Sequence, residues 1–122
     1  VRPLGELEAE IMNRLWTWGR PATARDVLVD LGRTRSIAYS TVKTVAEILH
    51  RKGLLRREKQ GRAWLYEPTC TRQQYTASLM QDALGDNPDP AGALLSFVER
   101  MSADEVEALR SALRAAKRRS GT

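Results

Sequence analysis

The 122-residue chain has one cysteine, one histidine and one phenylalanine. A lone Cys70 has no internal disulfide partner, and together with His50 it falls short of the four ligands of a structural zinc site. No apolar run approaches the roughly 18 to 20 residues that cross a bilayer. The opening Val1-Arg2-Pro3-Leu4-Gly5-Glu6 lacks an apolar secretory core. No membrane insertion is expected, and the default location is cytoplasmic. Paired carboxylates, a nucleophile set beside a base and a glycine-rich phosphate loop are also missing, so neither an enzyme nor a bound metal or cofactor is expected.

What the chain does have is positive charge in one place. Twenty basic against fifteen acidic residues leave +5. Residues 1–68 hold thirteen of the basic and eight of the acidic ones, whereas residues 69–122 hold seven of each. Between Arg33 and Arg62 nine cations face only Glu47 and Glu58. A field of this kind draws polyanions to one face; a merely solvated basic surface is the plainer reading.

Apolar periodicity predicts a first helix over Gly5–Trp18, through Leu4, Leu7, Ile11, Leu15 and Trp18. A short second helix is capped by Thr23 and Asp26 and stopped by Gly32. A third runs over Ser36–Lys52, with Ala38, Val42, Val45, Ala46 and Leu49 on one side and Ser40, Lys43, Thr44, Glu47 and Arg51 on the other. After Gly53 the period falls to two. Leu54–Lys59 and Arg62–Glu67 read as strands joined by a Gln60-Gly61 turn, a hairpin that needs support from Leu55, Trp64 or Leu65. Three helices followed by a basic hairpin is the order of a winged helix.

Pro68-Thr69-Cys70 marks the predicted boundary between a 1–68 winged helix-turn-helix domain and a 69–122 helical domain, making the fold class mainly α with a small β-hairpin. In the second part a helix over Thr71–Leu84 carries two apolar stripes, one of Tyr75, Leu79 and Ala83 and one of Ala77, Met80 and Leu84. Asp89-Pro90 starts another helix, with Leu94, Phe97, Val98 and Met101 at helical spacing. Ser102 and Glu105 start the last, which carries Val106, Leu109, Leu113 and Ala116. So short a segment displays more apolar stripe than it can hide. We expect Tyr75, Leu79, Leu84, Leu94, Phe97, Val98, Met101, Val106, Leu109 and Leu113 to form a homodimer interface, the alternative being that these helices fold back on residues 1–68.

A helix that reads DNA needs short polar residues for base edges, nearby cations for phosphates and an apolar back. The third helix offers Ser40, Thr41, Lys43 and Thr44, with Tyr39 at the flank as either a phosphate donor or a partly buried ring. Arg51 and Lys52 at its far end are open to both phosphate contact and complementing the helix dipole. In the wing, Arg57, Lys59, Gln60, Gly61 and Arg62 are placed to meet the backbone or minor groove, unless they serve only to keep the hairpin edge unpaired. Trp16, Trp18 and Trp64 read as core, the alternative being base stacking, and His50 as a surface or helix-terminal residue.

The run Ala38-Tyr39-Ser40-Thr41-Val42-Lys43-Thr44, continuing through Leu49-His50-Arg51-Lys52-Gly53-Leu54, closely resembles the BlaI/MecI penicillinase-repressor family. So do Gly61-Arg62-Ala63-Trp64-Leu65-Tyr66-Glu67-Pro68, the opening Leu4-Gly5-Glu6-Leu7-Glu8-Ala9-Glu10-Ile11-Met12, and Leu94-Leu95-Ser96-Phe97-Val98. The arginine- and alanine-rich composition suggests an actinobacterial member. The resemblance implies a homodimeric winged-helix repressor on palindromic operators of β-lactamase-type genes, with a recognition helix over Ser40–Lys52 and a wing over Arg57–Arg62. It also implies a partner: a β-lactam sensor-protease that triggers cleavage in the dimerisation domain. Family members are commonly cut at an Asn-Phe bond, where this chain has Ser96-Phe97. The paired C-terminal cysteines of copper-responsive relatives are missing. A small-molecule-responsive winged-helix regulator is the alternative reading.

Overall fold

The computed structural model describes residues 3–120. In chain order they form α1 (Glu6–Trp18), α2 (Ala24–Leu31), α3 (Tyr39–Arg51), β1 (Leu55–Gln60), β2 (Ala63–Pro68), α4 (Arg72–Gly85), α5 (Pro90–Glu99) and α6 (Ala103–Arg119). Their order is that read from the sequence.

Two boundaries shift, each for a physical reason. The third helix starts at Tyr39 rather than Ser36, because Ala38 is its extended N-cap at φ −84° and ψ 146°, and Ile37 before it packs on the core. The hairpin turn is Gly61-Arg62 rather than Gln60-Gly61, since Gln60 pairs with Ala63 in the ladder. Gly61 takes the first loop position at φ 62°, a conformation that glycine alone adopts without a Cβ penalty.

The core is built by Ile11, Met12 and Leu15 of α1, Val27 and Leu31 of α2, Val42, Ala46 and Leu49 of α3, and Leu55 and Tyr66 of the hairpin. Period two puts Leu55, Arg57 and Lys59 of β1 on the same face as Trp64 and Tyr66 of β2. That face runs from the buried pair Leu55 and Tyr66 out to the cations at the tip, with Trp64 half-buried between them. Leu65 points the other way, among Arg56, Glu58 and Glu67, so Leu55, Trp64 and Tyr66 support the hairpin. Ala22, in the link between α1 and α2, adds a one-residue third strand. Its N–H donates to the Tyr66 carbonyl at 3.0 Å and its carbonyl accepts from the Tyr66 N–H at 2.7 Å. This bridge fixes the wing against the start of α2.

The chain divides into two compact units, one reaching to Leu79 and the other beginning at Met80. The boundary therefore falls inside α4, eleven residues beyond the expected 68/69. The cause is local. The Trp16 indole N–H donates to the Cys70 carbonyl at 2.9 Å, and the Arg72 guanidinium donates to the Asn13 carbonyl and the Thr17 hydroxyl. Tyr75, expected on a dimer face, is 8% exposed with its ring 5.7 Å from that of Trp16, so this ring is buried within one chain. A fragment of residues 1–79 is accordingly expected to melt about 5–15 °C above a 1–68 fragment, which forfeits this aromatic burial. Equal melting temperatures by circular dichroism would show that α4 adds nothing to the unit.

The second unit has well-marked helix starts and little interior. The Asp89 side chain accepts from the Gly92 N–H to open α5, and Ser102 with Glu105 forms a reciprocal cap for α6. Neither helix buries a residue. Leu94, Leu95, Phe97 and Leu113 lie roughly half to two-thirds exposed, while Val98, Met101, Val106 and Leu109 are half-buried.

Candidate nucleic-acid interface

Cations from three elements come together where α2, α3 and the wing meet. A cleft of about 300 Å³ is lined by Thr23, Ala24 and Arg25 of the α2 start, Tyr39 and Lys43 of α3, and Lys59, Arg62, Ala63, Trp64 and Tyr66 of the hairpin. Four of these ten residues are cations and none is a carboxylate. Two stacks order the walls. The Arg25 guanidinium lies 4.7 Å from the Tyr39 ring centroid, while Arg57 and Lys59 lie 4.2 and 4.5 Å from that of Trp64. Such cation–π contacts hold long side chains in place while their N–H groups still face solvent.

The fold sorts the basic residues of the 33–62 stretch into two classes. Arg35 pairs with Glu10 at 2.5 Å, Lys52 with Glu8 at 2.7 Å, Arg56 with Glu67 at 2.8 Å, and Arg33 with Asp30 at 3.7 Å. These four brace the scaffold. The Lys52 ammonium also holds the Glu8 carboxyl below the ordinary carboxylate range, against an opposing push from partial burial. Among the described residues, Lys43, Arg51, Arg57, Lys59 and Arg62 have no ion-pair partner, and all five lie on α3 or the hairpin.

Of the residues singled out in the sequence, the fold brings Tyr39, Lys43, Lys59 and Arg62 into one cleft, with Arg57 behind it on Trp64. Ser40, Thr41 and Thr44 are exposed on α3 outside the cleft lining, and Gln60 and Gly61 are exposed at the hairpin tip. Arg51 is exposed in the last turn of α3, about 12 Å along the axis from Lys43. Lys52 belongs to the scaffold. No side chain caps the N-terminus of α3. Sequence pattern misses Arg25, because its position on α2 carries no local signal.

A model of the penicillinase repressor family matches residues 4–115. The chain belongs to this family. It is a winged-helix transcriptional repressor and not an enzyme. The repressor is 42% identical over 113 residues to the transcriptional regulator BlaI of Mycobacterium tuberculosis, covering 90% of this chain and 82% of that one, which agrees with the expected actinobacterial character. It is 26% identical over 123 residues to the penicillinase repressor of Bacillus licheniformis, covering 98% and 95%. Among solved structures, monomeric Bacillus licheniformis BlaI in complex with the blaP half-operator is similar at 25% identity and a TM-score of 0.51, covering 62% of this chain and 90% of that one. Among the described residues no helix of the repressor is long and apolar enough to cross a membrane.

Proposed function

We propose that this repressor acts as a homodimer on a palindromic operator of β-lactamase-type genes, with α3 in the major groove and the hairpin on the adjoining backbone. The observation that carries this reading is the sorting of charge within the 33–62 stretch: its five cations without a carboxylate partner among the described residues, Lys43, Arg51, Arg57, Lys59 and Arg62, all lie on α3 or the wing, where a polyanion would complete them. In this arrangement Ser40, Thr41, Lys43 and Thr44 meet base edges, Tyr39 and Arg51 meet the flanking phosphates, and Arg57, Lys59, Gln60, Gly61 and Arg62 meet the neighbouring backbone or minor groove. The DNA-binding domain ends at Leu79, and the remaining helices form the dimerisation domain.

Dimerisation is supported by the apolar side chains that α5 and α6 leave exposed, Leu94, Leu95, Phe97 and Leu113, beside the half-buried Val98, Met101, Val106 and Leu109. Burying a Leu, Phe, Met or Val side chain contributes roughly 1.5–3 kcal/mol, so a second copy of the same helices would be held firmly by Leu84, Leu94, Phe97, Val98, Met101, Val106, Leu109 and Leu113. Leu79 lies at the junction within α4. Induction by a sensor-activated protease at Ser96-Phe97 would cut inside α5, separating Leu94 from Phe97, Val98 and Met101. Both residues are exposed but helical, so α5 must unwind locally for an extended substrate segment to enter a protease.

Titration of the full chain with a palindromic duplex, its single half-site and a scrambled duplex tests the whole reading. Preference for the palindrome over both others is expected, and equal affinity for all three would overturn it. Within the same assay Lys43→Ala is expected to lower affinity about 10-fold and to narrow the preference over the scrambled duplex. Lys59→Ala should weaken all three duplexes alike and reduce the slope of log K against log salt by about one. A Lys59→Ala slope equal to the parent's would remove Lys59 from the phosphate contacts.

A further inference from the structure

Arg25 is held in a position that the fold alone does not favour. It is the second residue of α2, where the helix dipole is positive and a cation is disfavoured. It has no ion-pair partner among the described residues, and the cleft wall it shares with Lys43, Lys59 and Arg62 contains no carboxylate to offset the repulsion. The adjacent Asp26 does not relieve it, because that carboxylate turns back to accept from the Thr23 N–H at 3.0 Å. Instead the guanidinium rests on the Tyr39 ring, itself 39% exposed at the first turn of α3. With its central carbon 4.7 Å from the ring centroid and no ion pair among the described residues, the guanidinium keeps an N–H fork available, and that fork matches two oxygens of a phosphate.

Resting on the repressor function proposed for this chain, we infer that Arg25 is a DNA-contacting residue that grips a backbone phosphate of the strand passing between α3 and the wing. Tyr39 is the platform that aims it. The strand then has cations from three elements around it: Arg25 from α2, Lys43 from α3, and Lys59 and Arg62 from the hairpin. Arg25 also fixes register, because its stack is anchored to the first residue of α3. A phosphate held there sets how far the base-reading residues Ser40, Thr41 and Thr44 slide along the groove.

The test uses the full chain and the palindromic duplex over a series of salt concentrations. Arg25→Ala is expected to lower affinity about 10-fold and to reduce the salt slope by about one, as loss of one phosphate contact requires. Its melting temperature should equal the parent's, since the residue is exposed and unpaired. Arg25→Lys, which keeps the charge over the ring, should restore the slope and part of the affinity. Parental affinity and slope in Arg25→Ala would overturn the inference, and so would a lower affinity at an unchanged slope, the mark of a residue that merely props Tyr39. If the parent chain itself binds duplexes without salt dependence, the repressor reading fails first; if the parent binds and only Arg25→Ala is silent, that reading stands and this one falls.

Discussion

Phe97→Asp is expected to lower affinity for a palindromic duplex by about 100-fold or more while leaving affinity for a single half-site unchanged. Phe97 is 51% exposed on α5, on an apolar stripe with Leu94, which is 49% exposed, and the half-buried Val98 and Met101. In the proposed dimer a carboxylate there would be desolvated without a partner, a cost that a helix with no buried residues of its own escapes as a monomer. Once the interface is lost, each DNA-binding unit must find its half-site alone, and the effective-concentration gain of the second contact disappears. Sedimentation should then return a 13.7 kDa species. A Phe97→Asp chain that still sediments as a dimer, or holds the palindrome as tightly as the parent, would move the interface elsewhere. Cleavage at Ser96-Phe97 is expected to act by the same route, without altering the reading head.

Leu49→Ala should abolish operator binding by a different route, through the fold. Leu49 is fully buried on the back of α3, within the cluster that joins α1, α2, α3 and the hairpin. Its carbonyl accepts from the Leu54 N–H at 3.0 Å, where the chain turns out of the helix toward β1. Removing its branched end leaves a cavity that neighbouring side chains fill only in part, and such truncations cost about 2–5 kcal/mol. In a small domain this is a large fraction of total stability. Thermal melting should show a fall of more than about 10 °C, with the loss of binding tracking the unfolded fraction. Lys43→Ala, in the same helix but exposed, should melt with the parent. If Leu49→Ala weakened binding with unchanged melting, Leu49 would have a part in recognition that its burial denies.

The contrast between Leu49 and Lys43 also shows how much is legible in the chain. An amphipathic helix announces its two faces by spacing, so the core side of α3 and its displayed Ser40, Lys43 and Thr44 follow from the order of residues alone. Capping pairs such as Thr23 with Asp26 and Ser102 with Glu105 locate helix starts because they act over three residues. The start of α3 is not legible in this way, since Ile37 is held by packing on the core rather than by any local signal. Tyr75 escapes for the same reason: its helical spacing fits any apolar surface, and only the fold brings Trp16 to it, nearly sixty residues away in sequence.

From the sequence alone came the order of elements, the excess of positive charge in the first half and the apolar stripes of the last helices, because each depends on neighbours a few residues apart. Tertiary structure decided which cations are braced by Glu8, Glu10, Asp30 and Glu67 and which are left without an ion pair among the described residues. It also placed Arg25 on Tyr39 and extended the first compact unit to Leu79. Ion pairs, ring stacks and unit boundaries join residues that are distant along the chain, and their energies are set by distance and burial, which a one-dimensional pattern does not contain.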